Sequence, residues 1–494
     1  MSGSVTDYSN VYLSKDLDKN VALLKGILSR DAILRVREVY VGGSNIRCVL
    51  FYMDGMVNSH QIGETVVQSI VKCNAASDAQ ITPDYIEKNI LFADDVGQKQ
   101  TVSDILRAIL YGDTVILTQN STTALVVNTK GWKTRGISEP EGERVLQGPR
   151  EGFAESAMTN VSLLRRKLVT PDLCVEMLNI GRRTDTKVFV CYLGTLADSK
   201  TVNNLKKQLK KIDIDGILDS NYIAESIRGS RLGVLKTIGS TERPDVVAAR
   251  LLEGRIAVIV DGTPAVLTLP YLFSENFQSD EDYYINFWVA SLGRALRWLS
   301  FFISVSVPGV FVALTTHHFE LLPTHFALTV SRLREGVPIA TVAECMALIF
   351  AFEILKEAGL RSPENLGHAL NVVGALVVGQ AAVEAGIISA PMLIAVAFSA
   401  IAGLMVPRLS AAVFYLRIIN VIVCAAFGLY GYFIVSSLFV LRVFSIKSFG
   451  VDYTTSFAKP DFWHLKDSFI RAGWNFMKTR PDFNFNLIRR RDKK

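Results

Sequence analysis

Residues 298–316 run for 19 positions without a charged side chain, and a stretch of that length and composition has few places to go. About 20 apolar residues in a helix cross the roughly 30 Å hydrocarbon core of a bilayer, where backbone polar groups must be satisfied within the chain. Arg294 and Arg297 flank the start of the run and Trp298 opens it, as basic and aromatic residues do at a membrane boundary. Pro308-Gly309 near its middle is expected to kink it. Four more apolar stretches follow. Residues 337–355 are interrupted only by Glu344 and Glu353; acids are costly at membrane depth, so that helix is interfacial, re-entrant, or turned to a polar interior. Residues 366–388 and 391–406 are joined closely enough to form a hairpin. Residues 411–441 are broken by Arg417, and the uncharged part, 418–441, is long enough to span.

The chain has 494 residues, 49% hydrophobic and 20% charged, with a mean hydropathy of +0.28, too apolar for a disordered chain. Its net charge of +6 is unevenly placed. Residues 1–295 hold 34 basic and 35 acidic side chains, residues 296–441 seven of each, and residues 442–494 twelve basic against five acidic. The excess is therefore an orientation signal: it is expected to hold the tail at anionic headgroups on the cytoplasmic side, and it argues against a nucleic-acid partner. The first twenty residues carry Asp7, Lys15, Asp16, Asp18 and Lys19 without an apolar run, so no cleaved signal is expected and the N-terminal region should share that side. An even number of spans follows, four if 337–355 does not cross. The six cysteines form no CxxC pair and read as isolated buried thiols in a reducing compartment.

The polar half contains an internal repeat. Residues 104–112, running into 114–117, match residues 245–254, running into 256–260. Each is a short amphipathic helix ended by glycine, then a β-branched strand, a polar turn (119–123 and 261–264) and a second strand (124–128 and 265–269). Upstream, the apolar runs 47–53 and 188–193 match in the same way, followed by helices near 59–72 and 200–211. The expected fold is α+β: two repeated subdomains, 1–146 and 169–290, joined by a linker, 147–168, and followed by an all-α multi-span membrane domain, 291–441, and a basic cytoplasmic tail, 442–494. In the linker, Gly148-Pro149 breaks structure and the stretch after Phe153 has helical character.

Chemistry-bearing motifs are sparse. There is no GxxxxGK[ST], no GxGxxG after a strand, and no nucleophile–histidine constellation, so neither an enzyme nor a cofactor is expected. His317, His318, Glu320 and His325 sit beside the first apolar run in a loop with Pro323; they fit an interfacial loop better than a metal site, and no metal is expected. More informative is a stripe. Leu366, Leu370, Val373, Val377, Gln380 and Glu384 recur at spacings of 4, 3, 4, 3 and 4, one helix face, beside the small residues Gly367, Gly374, Gly379, Ala381 and Ala382. Leu370, Val373, Val377, Gln380 and Glu384 could line a pore with an apolar constriction and an acidic end, or form an ordinary helix–helix seam.

Gly148-Pro149-Arg150-Glu151-Gly152-Phe153, with Glu155, Asn160, Leu163, Arg165 and Arg166, resembles the linker of the A-subunits of GerA-type spore germinant receptors. Further stretches of the same kind are Thr241-Glu-Arg-Pro-Asp245, Arg334-Glu-Gly-Val-Pro338, Val377-Val-Gly-Gln-Ala-Ala382 and Ser448-Phe-Gly-Val451. One departure is Asp452-Tyr-Thr-Thr-Ser456, where the family has a Pro-Tyr-Leu-type sequence. The resemblance implies a protein of the spore inner membrane that works with a transporter-like B-subunit and a lipoprotein C-subunit to sense nutrients. It implies a ring of A-subunits, a pentamer in that family, conducting ions when nutrients bind. Two alternatives remain: a paralogous stage V sporulation AF-type protein that amplifies germination, and a non-conducting membrane scaffold. The paralogue tends toward Gly-Ala-Arg-Asp-Gly-Phe in the linker, and this chain is nearer the receptor form. Within the linker, Arg150 and Glu151 are expected to pair with each other or across subunits, and Arg165 and Arg166 to hold acidic partners.

Overall fold

The computed structural model describes residues 8–73, 81–131, 143, 147–228, 233–361, 379–455, 467–477 and 480. In the N-terminal half, the β-branched runs pair into two five-stranded antiparallel sheets. One holds β1 (Leu34–Tyr40), β2 (Arg47–Met53), β3 (Val96–Lys99), β4 (Thr114–Thr118) and β5 (Ala124–Val127), in the order β1-β2-β4-β5-β3. The other holds β6 (Leu173–Ile180), β7 (Thr186–Leu193), β8 (Gly239–Thr241), β9 (Ile256–Val260) and β10 (Val266–Leu269), in the order β6-β7-β9-β10-β8. The orders are identical, as the repeat predicts. The glycines expected to end the matched helices have positive φ, +91° at Gly112 and +88° at Gly254, a backbone region glycine enters without a Cβ penalty.

The two units do not close separate cores. Strands β2 and β9 are apolar on both faces, so each sheet needs cover on both sides. Outer faces are covered locally. The helical stretch 59–72 and α2 (Pro83–Asn89) pack on Leu50, Ile116 and Leu125 of the first sheet. Helices α5 (Ser199–Lys210) and α6 (Ser220–Ile227) pack on Val188, Val190 and Val258 of the second. The inner faces share one layer, made of α1 (Leu17–Ile27), α3 (Val102–Leu110), α4 (Ala157–Lys167) and α7 (Pro244–Leu252). There Phe51, Ile105, Leu164, Phe189, Leu251 and Ile259 belong to a single buried cluster. The linker thus becomes α4, the middle of a five-layer sandwich. Edges are joined too: Ala32 N–H donates to the Val175 carbonyl at 2.8 Å, and Val175 N–H to that of Arg30 at 2.9 Å.

The helical half departs from its sequence reading in three places. Helix α8 (Phe287–Thr316) has 30 residues, about 45 Å at roughly 1.5 Å per residue; it begins 11 residues before the uncharged run, and buried Arg294 and partly buried Arg297 are paired instead of marking a boundary. The stretch read as one span over 418–441 is two helices. Gly428, at φ +59°, separates α12 (Ser410–Phe427) from α13 (Leu429–Ser445), and the chain turns back there. The acid-bearing stretch is α10 (Thr341–Arg361), shifted toward the C-terminus. Helix α9 (Thr324–Arg334) and α11 (Ala390–Leu404) complete the set, and the predicted 366–388 helix is described only over 379–388, where it ends at a turn holding Gly386 at φ +65°. Helices α8 and α12 (at Pro407–Phe427 with its leading turn) have the length and apolar composition to cross a membrane.

Pro308 and Arg417, which the sequence presents as unrelated interruptions, meet. Pro308 has no N–H for the carbonyl of Ser304, four residues earlier. Arg417 Nε donates to that carbonyl at 3.0 Å, and its Nη2 to Ser304 Oγ at 2.5 Å and to the Ser399 carbonyl of α11 at 3.1 Å. One turn on, Asn420 Nδ2 donates to the Val305 carbonyl at 3.0 Å. Arg417 of α12 therefore satisfies the carbonyl that proline leaves open, and Asn420 bonds the next one, among apolar helices where an unmet carbonyl is expensive. We expect Arg417→Met to lower the stability of the solubilised chain by about 1–3 kcal/mol. In a Pro308→Ala background the loss should shrink, since the alanine restores a backbone N–H that can return to the Ser304 carbonyl. Equal losses in a double-mutant cycle of thermal unfolding would rule the staple out.

Candidate functional site: a buried charge network at the foot of the helices

The linker motif is used mostly inside the chain. Ser156 caps α4 through the Thr159 N–H, and the Asp261 carboxylate of the second hairpin accepts from Ala157 N–H at 2.9 Å. Asn160, fully buried, donates to the Ala154 carbonyl and accepts from its N–H, folding the chain before the helix. Gly148 sits at φ +122° with the Tyr284 ring where a Cβ would lie. The Pro149 carbonyl accepts from buried Arg243 at 3.0 Å, Gly152 is buried, and Phe153 N–H reaches the Glu242 carbonyl at 2.8 Å. Glu151 pairs with Arg166 and Lys167 of α4, both at 3.0 Å. Arg165 has no exposed side-chain surface; it pairs with Asp31 and donates to the carbonyls of Thr170 and Leu173 at 2.8 and 3.0 Å. Asn160 and Arg165 therefore face no surface that a neighbouring subunit would meet. Arg150 is exposed.

The strongest concentration of buried charge lies where the N-terminal half turns into α8. Glu275 accepts from Arg255 at 2.5 Å and from Leu272 N–H at 2.7 Å, with Arg250 3.2 Å away. Burial alone would raise the Glu275 carboxyl, but the guanidinium groups of Arg255 and Arg250 outweigh it and hold the group below the usual glutamate range. Asp282, also buried, accepts from Arg294 at 3.2 Å and from Arg297 at 2.6 Å. Arg294 continues to the Asp467 carboxylate at 2.9 Å. From the turn between α11 and α12, Arg408 donates to the carbonyls of Glu275 and Gln278 at 3.1 and 3.2 Å, with Asp280 and Glu143 at 3.4 and 3.5 Å.

The tail closes this junction. Lys447–Ser448 and Val451–Asp452, β11 and β12, form a two-stranded ribbon just after α13. Ser448 Oγ accepts from Tyr271 N–H and donates to the Thr237 carbonyl. Tyr453, wholly buried, accepts from Phe273 N–H at 2.9 Å through its carbonyl, and its hydroxyl donates to the Lys236 carbonyl at 2.7 Å. The start of the tail is thus a docked element. Four parts of the chain meet within this network: the second sheet's unit, the foot of α8, the α11–α12 turn and the tail. A displacement of one must be accommodated by the others, which is what transmission between the two halves requires.

Of the other sequence candidates, Leu370, Val373 and Val377 lie outside the described residues. Gln380 and Glu384 are exposed and bonded to each other at 2.9 Å. Glu344 is fully buried and caps α11, its Oε1 accepting from Ser389 N–H and Oγ at 2.6 Å each, a favourable place for a carboxylate at the positive end of a helix. Glu353 is half-buried and pairs with Lys356 at 2.5 Å. His317 bonds the Ala425 carbonyl at 2.7 Å and His318 lies beside Gly428, so both serve the far turn. Burial pushes the Cys48 and Cys191 thiols up to about 12, away from nucleophilic use.

A family model described as "Bacillus/Clostridium GerA spore germination protein" matches residues 22–483. The chain belongs to the GerA family. Spore germination protein KA of Bacillus subtilis (strain 168) is 38% identical over 475 residues, covering 96% of this chain and 87% of that protein. Spore germination protein GerLA of Bacillus cereus is 33% identical over 452 residues, covering 91% and 92%. Among solved structures, the N-terminal domain of the A subunit of the Bacillus megaterium spore germinant receptor GerK3 matches at 32% identity, with 55% of this chain and 99% of that one covered and a TM-score of 0.43. For this GerA protein the network residues Glu275, Asp282, Arg408 and Asp467 were not singled out from sequence; the acidic run Asp280-Glu281-Asp282 shortly before Arg294 and Arg297 was the available signal.

These contacts differ in worth. Asp282→Asn leaves buried Arg294 short of a carboxylate and should cost about 3–5 kcal/mol of stability, whereas Glu151→Gln, at a partly exposed pair, should cost about 1 kcal/mol or less. Thermal unfolding of the two solubilised variants checks the order; equal losses would contradict it.

Proposed function

We propose that the chain is the A-subunit of a nutrient germinant receptor in the spore inner membrane, with its N- and C-terminal regions on the cytoplasmic side. The observation that carries this reading is the GerA match over nearly the whole chain, both halves included. Helices α8 and α12 are long and apolar enough to cross, and outward-facing Phe302, Ile422 and Leu438 give the helices an apolar exterior suited to lipid. On this reading the protein works with B- and C-type subunits, senses no nutrient by itself, and forms a ring of copies, a pentamer by preference, whose helices conduct ions when a partner binds germinant. The pore face is Leu370, Val373, Val377, Gln380 and Glu384. A wet path past two valines closes by dewetting and opens on a small widening. The charge network at the foot of α8 supports the coupling this requires, because it ties the N-terminal unit, where a partner would act, to the helices that would have to move.

Ion flux tests the proposal. Liposomes holding the protein with its B- and C-type partners should release trapped potassium on nutrient addition, and Val377→Ser should leak without nutrient. Absence of flux with all partners present would instead favour a non-conducting scaffold, and spores lacking the gene that germinate normally on nutrients yet slowly as a population would favour the stage V AF-type role.

A further inference from the structure

A short strap of the tail, residues 467–477, lies along the foot of α8 with its polar groups turned inward. Asp467 holds Arg294, Arg471 N–H donates to Ser291 Oγ at 3.2 Å, and the Arg471 carbonyl accepts from the same hydroxyl at 3.1 Å. The Arg471 guanidinium reaches toward the carbonyls of Ile285 and Tyr283 and stacks on Trp474, 5.5 Å from its ring centre. Apart from Asn475, what remains on the outer face is apolar: Phe469, Ile470, Trp474 and Phe476 are exposed by 42, 59, 46 and 65%, and on the same end of α8 Trp288 and Leu292 by 72 and 64%. A patch of this kind on a water-facing surface marks a contact.

We infer that this collar lies in the headgroup–acyl boundary of the cytoplasmic leaflet, as an anchor for anionic phospholipid, and so sets the depth at which the charge network sits. Three observations single out lipid as its occupant. The Phe469 ring is 4.7 Å from that of Trp298, the first residue of the uncharged run, so the strap stands level with the beginning of the apolar stretch. Above it, exposed Leu299 and Phe302 continue the same apolar surface up α8 without a break. Aromatic rings are the side chains that favour that boundary, and the chain beyond the strap carries Lys478, Arg489, Arg490, Arg491, Lys493 and Lys494, which match an anionic surface. The inference rests on the membrane placement proposed above, and deepens it.

Site-directed spin labelling tests both separately. The full chain carrying Cys73→Ser and Ile470→Cys, labelled with a nitroxide, is reconstituted in vesicles of equal parts phosphatidylcholine and phosphatidylglycerol. Phe476→Cys serves as a second position on the collar, Leu438→Cys as a reference on α13 and Leu218→Cys as a reference on the exposed surface of the N-terminal half. The collar labels should relax strongly with oxygen and lose their relaxation by a water-soluble nickel chelate, as Leu438 does and Leu218 does not. Collar labels as open to the nickel chelate as Leu218 would place the strap in water, and labels reached by neither reagent would place it against a second copy of the chain; either overturns the anchor. If Leu438 were also open to the chelate, the membrane placement itself would fall.

Discussion

Asp282 has almost no contact with solvent and lies between Arg294 and Arg297, two residues of the first long helix. A buried carboxylate cannot leave such partners without stranding charge in a low-dielectric interior, so the angle at which α8 departs from the N-terminal half is held electrostatically. Arg294 then reaches Asp467, and Arg408 brings the α11–α12 turn onto the backbone of Glu275 and Gln278. The rest of the arrangement depends on this. The helices stand on the sheet-bearing half through these charges and through the apolar cluster beside them, in which Phe277 stacks on Trp298 at 3.5 Å and Tyr271, Phe273 and Tyr453 pack with Phe301 and Val413.

The sheet-bearing half is held together by a shared inner layer. Had each repeat unit covered its own sheet on both sides, two bodies would hang from a flexible linker. Instead the linker became α4 and entered the core, with Arg165 neutralised by Asp31 of the first unit while donating to carbonyls that lead into the second. The motif that carries the family resemblance is therefore largely an internal fastening.

Much of the fold was legible in the chain. The matched glycine-ended helices and β-branched strands revealed two copies of one topology, because local propensity and turn chemistry act over a few residues and leave marks at that scale. The short edge strands β3 and β8 left no such mark: four and three residues of mixed polarity take up strand geometry only because a neighbour offers hydrogen bonds. The run over 418–441 hides its break for a related reason. Hydropathy is blind to a glycine that lets an apolar chain reverse, and Gly428 does so against His317 and His318.

By itself, the sequence determined the division into a charged repeat-bearing half, an apolar helical half and a basic tail, together with the family. Those follow from composition, period and motif, which are properties of the chain read in one dimension. Only the tertiary structure decided which charges are paired. Arg294 and Arg297 looked like boundary markers and are partners of buried Asp282; Arg417 looked like an interruption and meets the carbonyl that Pro308 frees; Glu344 fitted an interfacial helix, a re-entrant one or a polar interior equally and caps a helix. An isolated charge in an apolar stretch announces that a partner must exist, since burial demands one. Which partner it is depends on how distant segments come together, and no local pattern records that.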